Sequence, residues 1–85
     1  MKKIIIYSSV ICPYCSMAKT IFKKLNLSYN EILVDGRPDL KKIMTIKSNG
    51  GKTVPQIFFD DLCIGGYDEL NKLYVNGKLT KMLNL

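Results

Sequence analysis

The sequence predicts an α/β fold of three layers, with its elements in the order β-α-β-α-β-β-α. Three observations predict it. Short runs rich in β-branched and aromatic residues alternate with longer stretches whose apolar residues recur at helical spacing. Pro13 and Pro38 stand where two of those stretches open, and Gly50-Gly51 and Gly77 follow where two of them close. The last two strand-like runs are separated only by Asp60-Asp61, which makes them a hairpin rather than a crossover.

Each element follows from its residues. Ile4, Ile5, Ile6 and Tyr7 mark a first strand over 3–8, ended by the polar Ser8-Ser9. Cys12-Pro13 opens the first helix, because proline's missing N–H would be unpaired at a first helical position in any case. Met17, Ala18, Ile21, Phe22 and Leu25 form its apolar stripe, with Lys19, Lys23 and Lys24 on the other side. Tyr29 and the Glu31-Ile32-Leu33-Val34 run give a second strand over 29–34, followed by the turn signal Asp35-Gly36. Pro38 opens the second helix, with Asp39 in its first turn and Leu40, Ile43 and Met44 facing inward. Asn49-Gly50-Gly51 closes it. A third strand covers 53–59, interrupted by Pro55, and a fourth covers 62–64. Gly65-Gly66 ends the hairpin, and Tyr67-Asp68-Glu69 starts a third helix with Leu70, Leu73 and Tyr74 inward. Gly77 stops that helix, and Leu79, Met82 and Leu83 suggest a short terminal one.

Eighty-five residues suit one domain over 1–85, with no internal repeat and no linker. At 47% hydrophobic and 24% charged, the composition is that of a folded chain rather than a disordered one. The greasy start after Met1-Lys2-Lys3 is broken at Ser8-Ser9, too soon for a signal peptide, and no stretch is long enough to span a membrane. The expectation is a soluble protein of a reducing compartment, the cytoplasm. The net charge of +6 comes from scattered basic residues, which fits a solvated surface. Such a surface also attracts anions, but no nucleic-acid motif accompanies it.

The cysteines carry the chemistry. There are three, an odd number, and two have CxxC spacing: Cys12-Pro13-Tyr14-Cys15. The absence of histidine excludes Cys–His hydrolase chemistry and histidine general bases. A zinc site needs four ligands, and only Cys63 remains, so a metal reading survives only if several chains share the ligands. At a strand-to-helix junction, Cys12 sits on the helix N-terminus, where unpaired N–H groups and the helix dipole favour a thiolate. Cys15 lies in the first turn, deeper, as the resolving thiol. A stabilised Cys12 thiolate makes the disulfide easier to reduce. Cys63, on the fourth strand, reads as a buried, inert small hydrophobe.

Taken together, Cys12-Pro13-Tyr14-Cys15, Thr53-Val54-Pro55-Gln56-Ile57-Phe58 and Gly65-Gly66-Tyr67-Asp68-Glu69-Leu70 resemble a dithiol glutaredoxin of the small bacterial type. The motifs fall in the family's order and spacing, and the resemblance covers about residues 2–83. It implies a thioredoxin-like fold with a four-stranded mixed sheet. It also implies a glutathione-dependent thiol–disulfide oxidoreductase, with glutathione as reducing co-substrate and no metal. Its partners would be disulfide-containing or glutathionylated proteins, and the chain would act as a monomer without nucleic acid or membrane.

The resemblance also implies site residues. Pro55 would be a cis-proline facing the cysteines, and Val54 would pair strand-like with the cysteinyl residue of glutathione. Thr53 precedes it. Gly66 would let the ligand approach closely. Backbone N–H groups of Tyr67 and Asp68, at a helix N-terminus, would bind the γ-glutamyl carboxylate, and the Asp68 side chain its ammonium. An N-cap is the structural alternative for Asp68. Lys42, with Arg37 as a neighbour, would meet the glycine carboxylate, and Tyr14 would flank the glutathione sulfur. Where many relatives carry a lysine shortly before the first cysteine, this chain has Ser9, so the helix terminus must do more of the thiolate stabilisation. A second reading is a carrier of a glutathione-ligated iron–sulfur cluster, against which the stiff Pro13 argues. A third, a thioredoxin-like reductant, would have Gly-Pro between the cysteines and would leave Gly65-Gly66-Tyr67-Asp68 unexplained.

Overall fold

A computed structural model describes residues 2–84. Eight elements run along the chain. They are β1 (Ile4–Ser8), α1 (Pro13–Lys24), β2 (Asn30–Leu33), α2 (Pro38–Lys47), β3 (Gln56–Phe59), β4 (Leu62–Gly65), α3 (Tyr67–Val75) and the short α4 (Lys78–Met82). The strands form one mixed sheet in the order β2-β1-β3-β4. β1 and β2 are parallel and are joined by the crossover helix α1. The β1–β3 and β3–β4 pairs are antiparallel.

Strand alternation divides the core in two. Ile4 and Ile6 of β1, with Ile57 and Phe59 of β3, face the layer of α1, α3 and α4, where Ala18, Ile21, Phe22, Leu70 and Leu79 are buried. Tyr7 and Phe58 point the other way, toward Met44 of α2 and Val34. Their rings meet edge to face, 5.7 Å apart at 76°.

Several elements differ in detail from the sequence expectation. β3 begins at Gln56, so Thr53, Val54 and Pro55 approach the sheet as a loop, and the Val54–Pro55 bond is cis. Met17 is exposed because Cys15, Ala18, Ile21 and Phe22 define the inward stripe of α1 and Met17 lies beside it. Ile43 is exposed for the same reason on α2, whose buried residue is Met44. Gly65 belongs to β4 rather than to the turn after it. Its φ of +112° is a backbone conformation that side chains rarely adopt.

The topology gathers distant segments at one end of the sheet. Ser8, the last residue of β1, pairs with Leu33 near the end of β2. Tyr7 pairs with Gln56 at the start of the antiparallel β3, and Ile57 pairs with Gly65 at the end of β4. The loops 9–12, 34–37 and 53–55 and the junction at Gly66 therefore emerge together.

Candidate active site

Cys12 and Cys15 form a disulfide. Cys12 is the N-cap of α1 in extended conformation, and Pro13 opens the helix proper. The backbone N–H of Cys15 donates to Cys12 Sγ at 3.1 Å. The capping acceptor, which in most helices is a hydroxyl or carboxylate, is here a sulfur. No acidic residue stands in the first turn, and Lys23 and Lys24 stand in the last, so nothing in the helix opposes negative charge at its N-terminus. Burial separates the two sulfurs. Cys15 is fully buried and Cys12 is half-buried, so solvent reaches only Cys12.

Facing them is the loop before β3. Cys12 Sγ lies 3.8 Å from the Val54 carbonyl oxygen, across 42 positions of sequence. Pro55 is buried beside it. Two grooves meet at Thr53 and Val54. One, about 480 Å³, is lined by Tyr14, Pro55, Gly66, Tyr67, Asp68 and Glu69 among others. The second, about 460 Å³, holds Cys12, Pro13, Asp35, Lys41 and Lys52 among its lining. Both are in the size class of small-ligand sites, roughly 300–1,000 Å³. The Tyr14 and Tyr67 rings lie 5.9 Å apart, tilted by 30°, and join the cysteine loop to the start of α3.

Of the residues singled out in the sequence, Cys12, Cys15, Tyr14, Thr53, Val54, Pro55, Gly66, Tyr67 and Asp68 come together here. Gly66, not Asp68, is the N-cap of α3. The Gly66 N–H donates to the Glu69 carboxylate at 3.5 Å, so Asp68 is left exposed on the first turn. Lys42 lines neither groove; Lys41 lines the one beside Cys12. The cause is helical phase. At about 100° per residue, Lys41 lies near the inward Leu40–Met44 face, whereas Lys42 is about 200° from Leu40 on the opposite side. Arg37 is exposed, and its guanidinium is engaged with Asp39, Nη2 to Oδ2 at 2.9 Å and Nε to Oδ1 at 3.1 Å.

Three features escaped the sequence reading. Lys52 lines the Cys12 groove, and its position before Thr53 was the only available hint. Cys63 is half-buried and its residue lines the Tyr14–Asp68 groove, so it is not sealed in the core. Asp35, read only as a turn residue, accepts from Ser9 Oγ at 2.5 Å and from the Val10 N–H at 2.9 Å. Those two bonds hold its carboxyl below the usual carboxylate range, the Ser9 hydroxyl contributing most.

Behind the site, the buried Ser8 hydroxyl donates to Glu31 Oε2 at 2.5 Å, and Lys19 Nζ reaches the same oxygen at 2.8 Å. This cluster ties β1, β2 and α1 together. Lys19 first, then Ser8, lowers the Glu31 pKa from its ordinary value.

A cysteine pair at a strand–helix junction, facing a proline loop on this three-layer sheet, defines a thiol–disulfide oxidoreductase of the thioredoxin fold. Within that class the chain belongs to the glutaredoxin family, whose model, described as Glutaredoxin, matches residues 4–64. Glutaredoxin 1 of Rickettsia prowazekii (strain Madrid E) is 47% identical over 81 residues, which cover 94% of this chain and 85% of the relative. The solution structure of glutaredoxin from Brucella melitensis matches with a TM-score of 0.84 at 37% identity, covering 98% of this chain and 89% of that one. The crystal structure of a buckwheat glutaredoxin–glutathione complex matches with a TM-score of 0.85 at 32% identity, covering 98% of this chain and 77% of that one. Among the described residues no helix is long and apolar enough to cross a membrane.

Proposed function

We propose that this chain is a glutathione-dependent reductase of protein–glutathione mixed disulfides and protein disulfides, working as a single-domain monomer in the cytoplasm. The observation that carries the reading is the half-buried Cys12 sulfur. It is capped by the Cys15 N–H and sits where the Thr53–Val54 loop divides two ligand-sized grooves. The buckwheat relative, crystallised as a glutathione complex, supports glutathione as the ligand.

The chemistry then runs as follows. The Cys12 thiolate attacks the glutathione sulfur of a mixed disulfide. A Cys12–glutathione disulfide forms, and the protein thiolate leaves and takes a proton from water. A second glutathione thiolate attacks that glutathionyl sulfur, releasing glutathione disulfide and restoring the Cys12 thiolate. For a protein disulfide, Cys12 first forms the mixed disulfide with the substrate. Cys15 then attacks Cys12 Sγ, releasing the substrate dithiol and leaving the Cys12–Cys15 disulfide. Two glutathione molecules reduce that bond and leave as glutathione disulfide.

In this reading the grooves bind glutathione along its length. Tyr14 flanks the sulfur, and Thr53, Val54 and Pro55 present the edge to which the cysteinyl backbone pairs. Gly66 admits the γ-glutamyl group, the N–H groups of Tyr67 and Asp68 bind its carboxylate, and the Asp68 side chain binds its ammonium. Lys41, with Lys52 in the same groove, takes the glycine carboxylate in place of Lys42.

The test is a glutathione-coupled turnover assay. Cys12→Ser is expected to abolish reduction of a glutathionylated substrate. Cys15→Ser is expected to keep much of that activity and to lose protein-disulfide reduction. Retained activity in Cys12→Ser overturns the assignment.

A further inference from the structure

The loop that delivers Cys12 to its place has almost no side-chain packing of its own. Val10 is 73% exposed and Ile11 89% exposed. A loop without packed side chains keeps its freedom unless its backbone is fixed by other means. The fixing comes from across the sheet. Asp35 stands in the turn after β2, and that turn is anchored: the Val34 N–H donates to the Ser8 carbonyl at 3.0 Å, and the Arg37 N–H to the Val34 carbonyl at 3.0 Å. From this anchored turn, Asp35 Oδ1 accepts the Ser9 hydroxyl and Oδ2 accepts the Val10 N–H. Ser9 occupies the place where the family often has a lysine, and its hydroxyl supplies half of this clamp.

We infer that Asp35 is a positioning residue for thiol exchange, whose carboxylate fixes Ser9 and Val10 so that the Cys12 sulfur meets the incoming disulfide in line. This rests on the reading of Cys12 as the nucleophile. Exchange passes through three sulfurs in a row, so the direction of approach matters as much as the distance. The charge of Asp35 argues the same way. Asp35 lines the groove into which Cys12 opens, where its negative charge disfavours a thiolate. Lys41 and Lys52 in that groove offset it, while Asp68 and Glu69 line the adjoining one. A carboxylate at this place works against the thiolate, so its service is geometric.

Asparagine can provide the same geometry without the charge. Its amide oxygen accepts the Val10 N–H, and its NH₂ donates to Ser9 Oγ. The experiment compares the parent protein with Asp35→Ala and Asp35→Asn. It measures kcat and KM for a glutathionylated substrate, the pH dependence of Cys12 alkylation by iodoacetamide, and the thermal midpoint. Asp35→Ala is expected to lower kcat by about tenfold with KM little changed. Asp35→Asn is expected to keep kcat within about twofold and to move the alkylation midpoint to lower pH. Parental kcat in Asp35→Ala overturns the inference. So does a folded Asp35→Asn that turns over slowly, and this arm stands even where Asp35→Ala fails to fold. Alkylation of the reduced parent at another cysteine before Cys12 overturns the nucleophile reading and the clamp with it. Slow Asp35→Asn with Cys12 still the first thiol alkylated overturns the clamp alone.

Discussion

The backbone N–H of Cys15 donates to the sulfur of Cys12 at 3.1 Å, so a cysteine fills the place of a helix N-cap. In the reduced protein the same N–H, with the rest of the unpaired first turn, faces a thiol that has lost its disulfide partner. An anion gains more from that position than a neutral S–H does. Cys12 is therefore expected to be alkylated by iodoacetamide with a midpoint well below the ordinary thiol value of about 8.5, at roughly 3.5–7.5. At pH 6 it should react ahead of the buried Cys15 and of Cys63. Peptide mapping after a short pulse gives the order.

The phase of α2 separates two neighbouring lysines. Lys41 lines the Cys12 groove and Lys42 does not. Lys41→Ala is expected to raise KM for glutathione by about two- to fivefold, the scale of one solvated ion pair, and Lys42→Ala to leave it nearly unchanged. Raising the salt concentration should shrink the difference between parent and Lys41→Ala, because salt screens an exposed pair. Equal effects of the two substitutions would place the carboxylate elsewhere.

Glu31 gathers Ser8 and Lys19 onto one carboxylate oxygen. Its folded pKa is lowered, so the unfolded chain holds the proton more tightly. The resulting stability is fully present above the unfolded value and is lost as pH falls through the folded value. Partial exposure keeps it small. Glu31→Gln is expected to cost about 0.5–1 kcal/mol at neutral pH. In acid, below the folded value, the variant and the parent should converge. Urea unfolding at several pH values from neutral into the acid range reads both.

Gly65 sits at φ +112° with the Glu69 carboxylate over its face. A Cβ there would lie 2.8 Å from Glu69 Oε1. Gly65→Ala is expected to lose about 1–3 kcal/mol from backbone strain. It should also push Glu69 off the Gly66 N–H, disturb the start of α3 and raise KM for glutathione. Asp68→Ala removes a groove-lining carboxylate without strain, so it should raise KM while costing under about 1 kcal/mol, the scale of one first-turn carboxylate on the helix dipole. Thermal midpoints beside KM values distinguish the two.

Much of this arrangement was legible as one-dimensional pattern. The periods of apolar residues placed every strand and helix of the three-layer order, because burial on one face imposes the spacing directly on the chain. Cys12-Pro13-Tyr14-Cys15 identified the redox centre, since capping and disulfide closure act between residues three apart. Misplacements arose at the margins of those stripes. Met17 and Ile43 are apolar enough to belong inside, but the helix phase is set by their larger buried neighbours.

What local pattern could not convey is which distant residues meet. Lys41 rather than Lys42 faces the groove because a helix of fixed pitch docks on the sheet through Leu40 and Met44. Cys63 borders the Tyr14–Asp68 groove because β4 runs antiparallel beside β3. Asp35 reads as a turn residue in the chain and becomes the support of the Cys12 loop only because parallel pairing brings the end of β2 beside the end of β1. Short-range chemistry is written in neighbouring residues. The clamp and the groove walls depend on register between strands, and only the folded sheet sets that register.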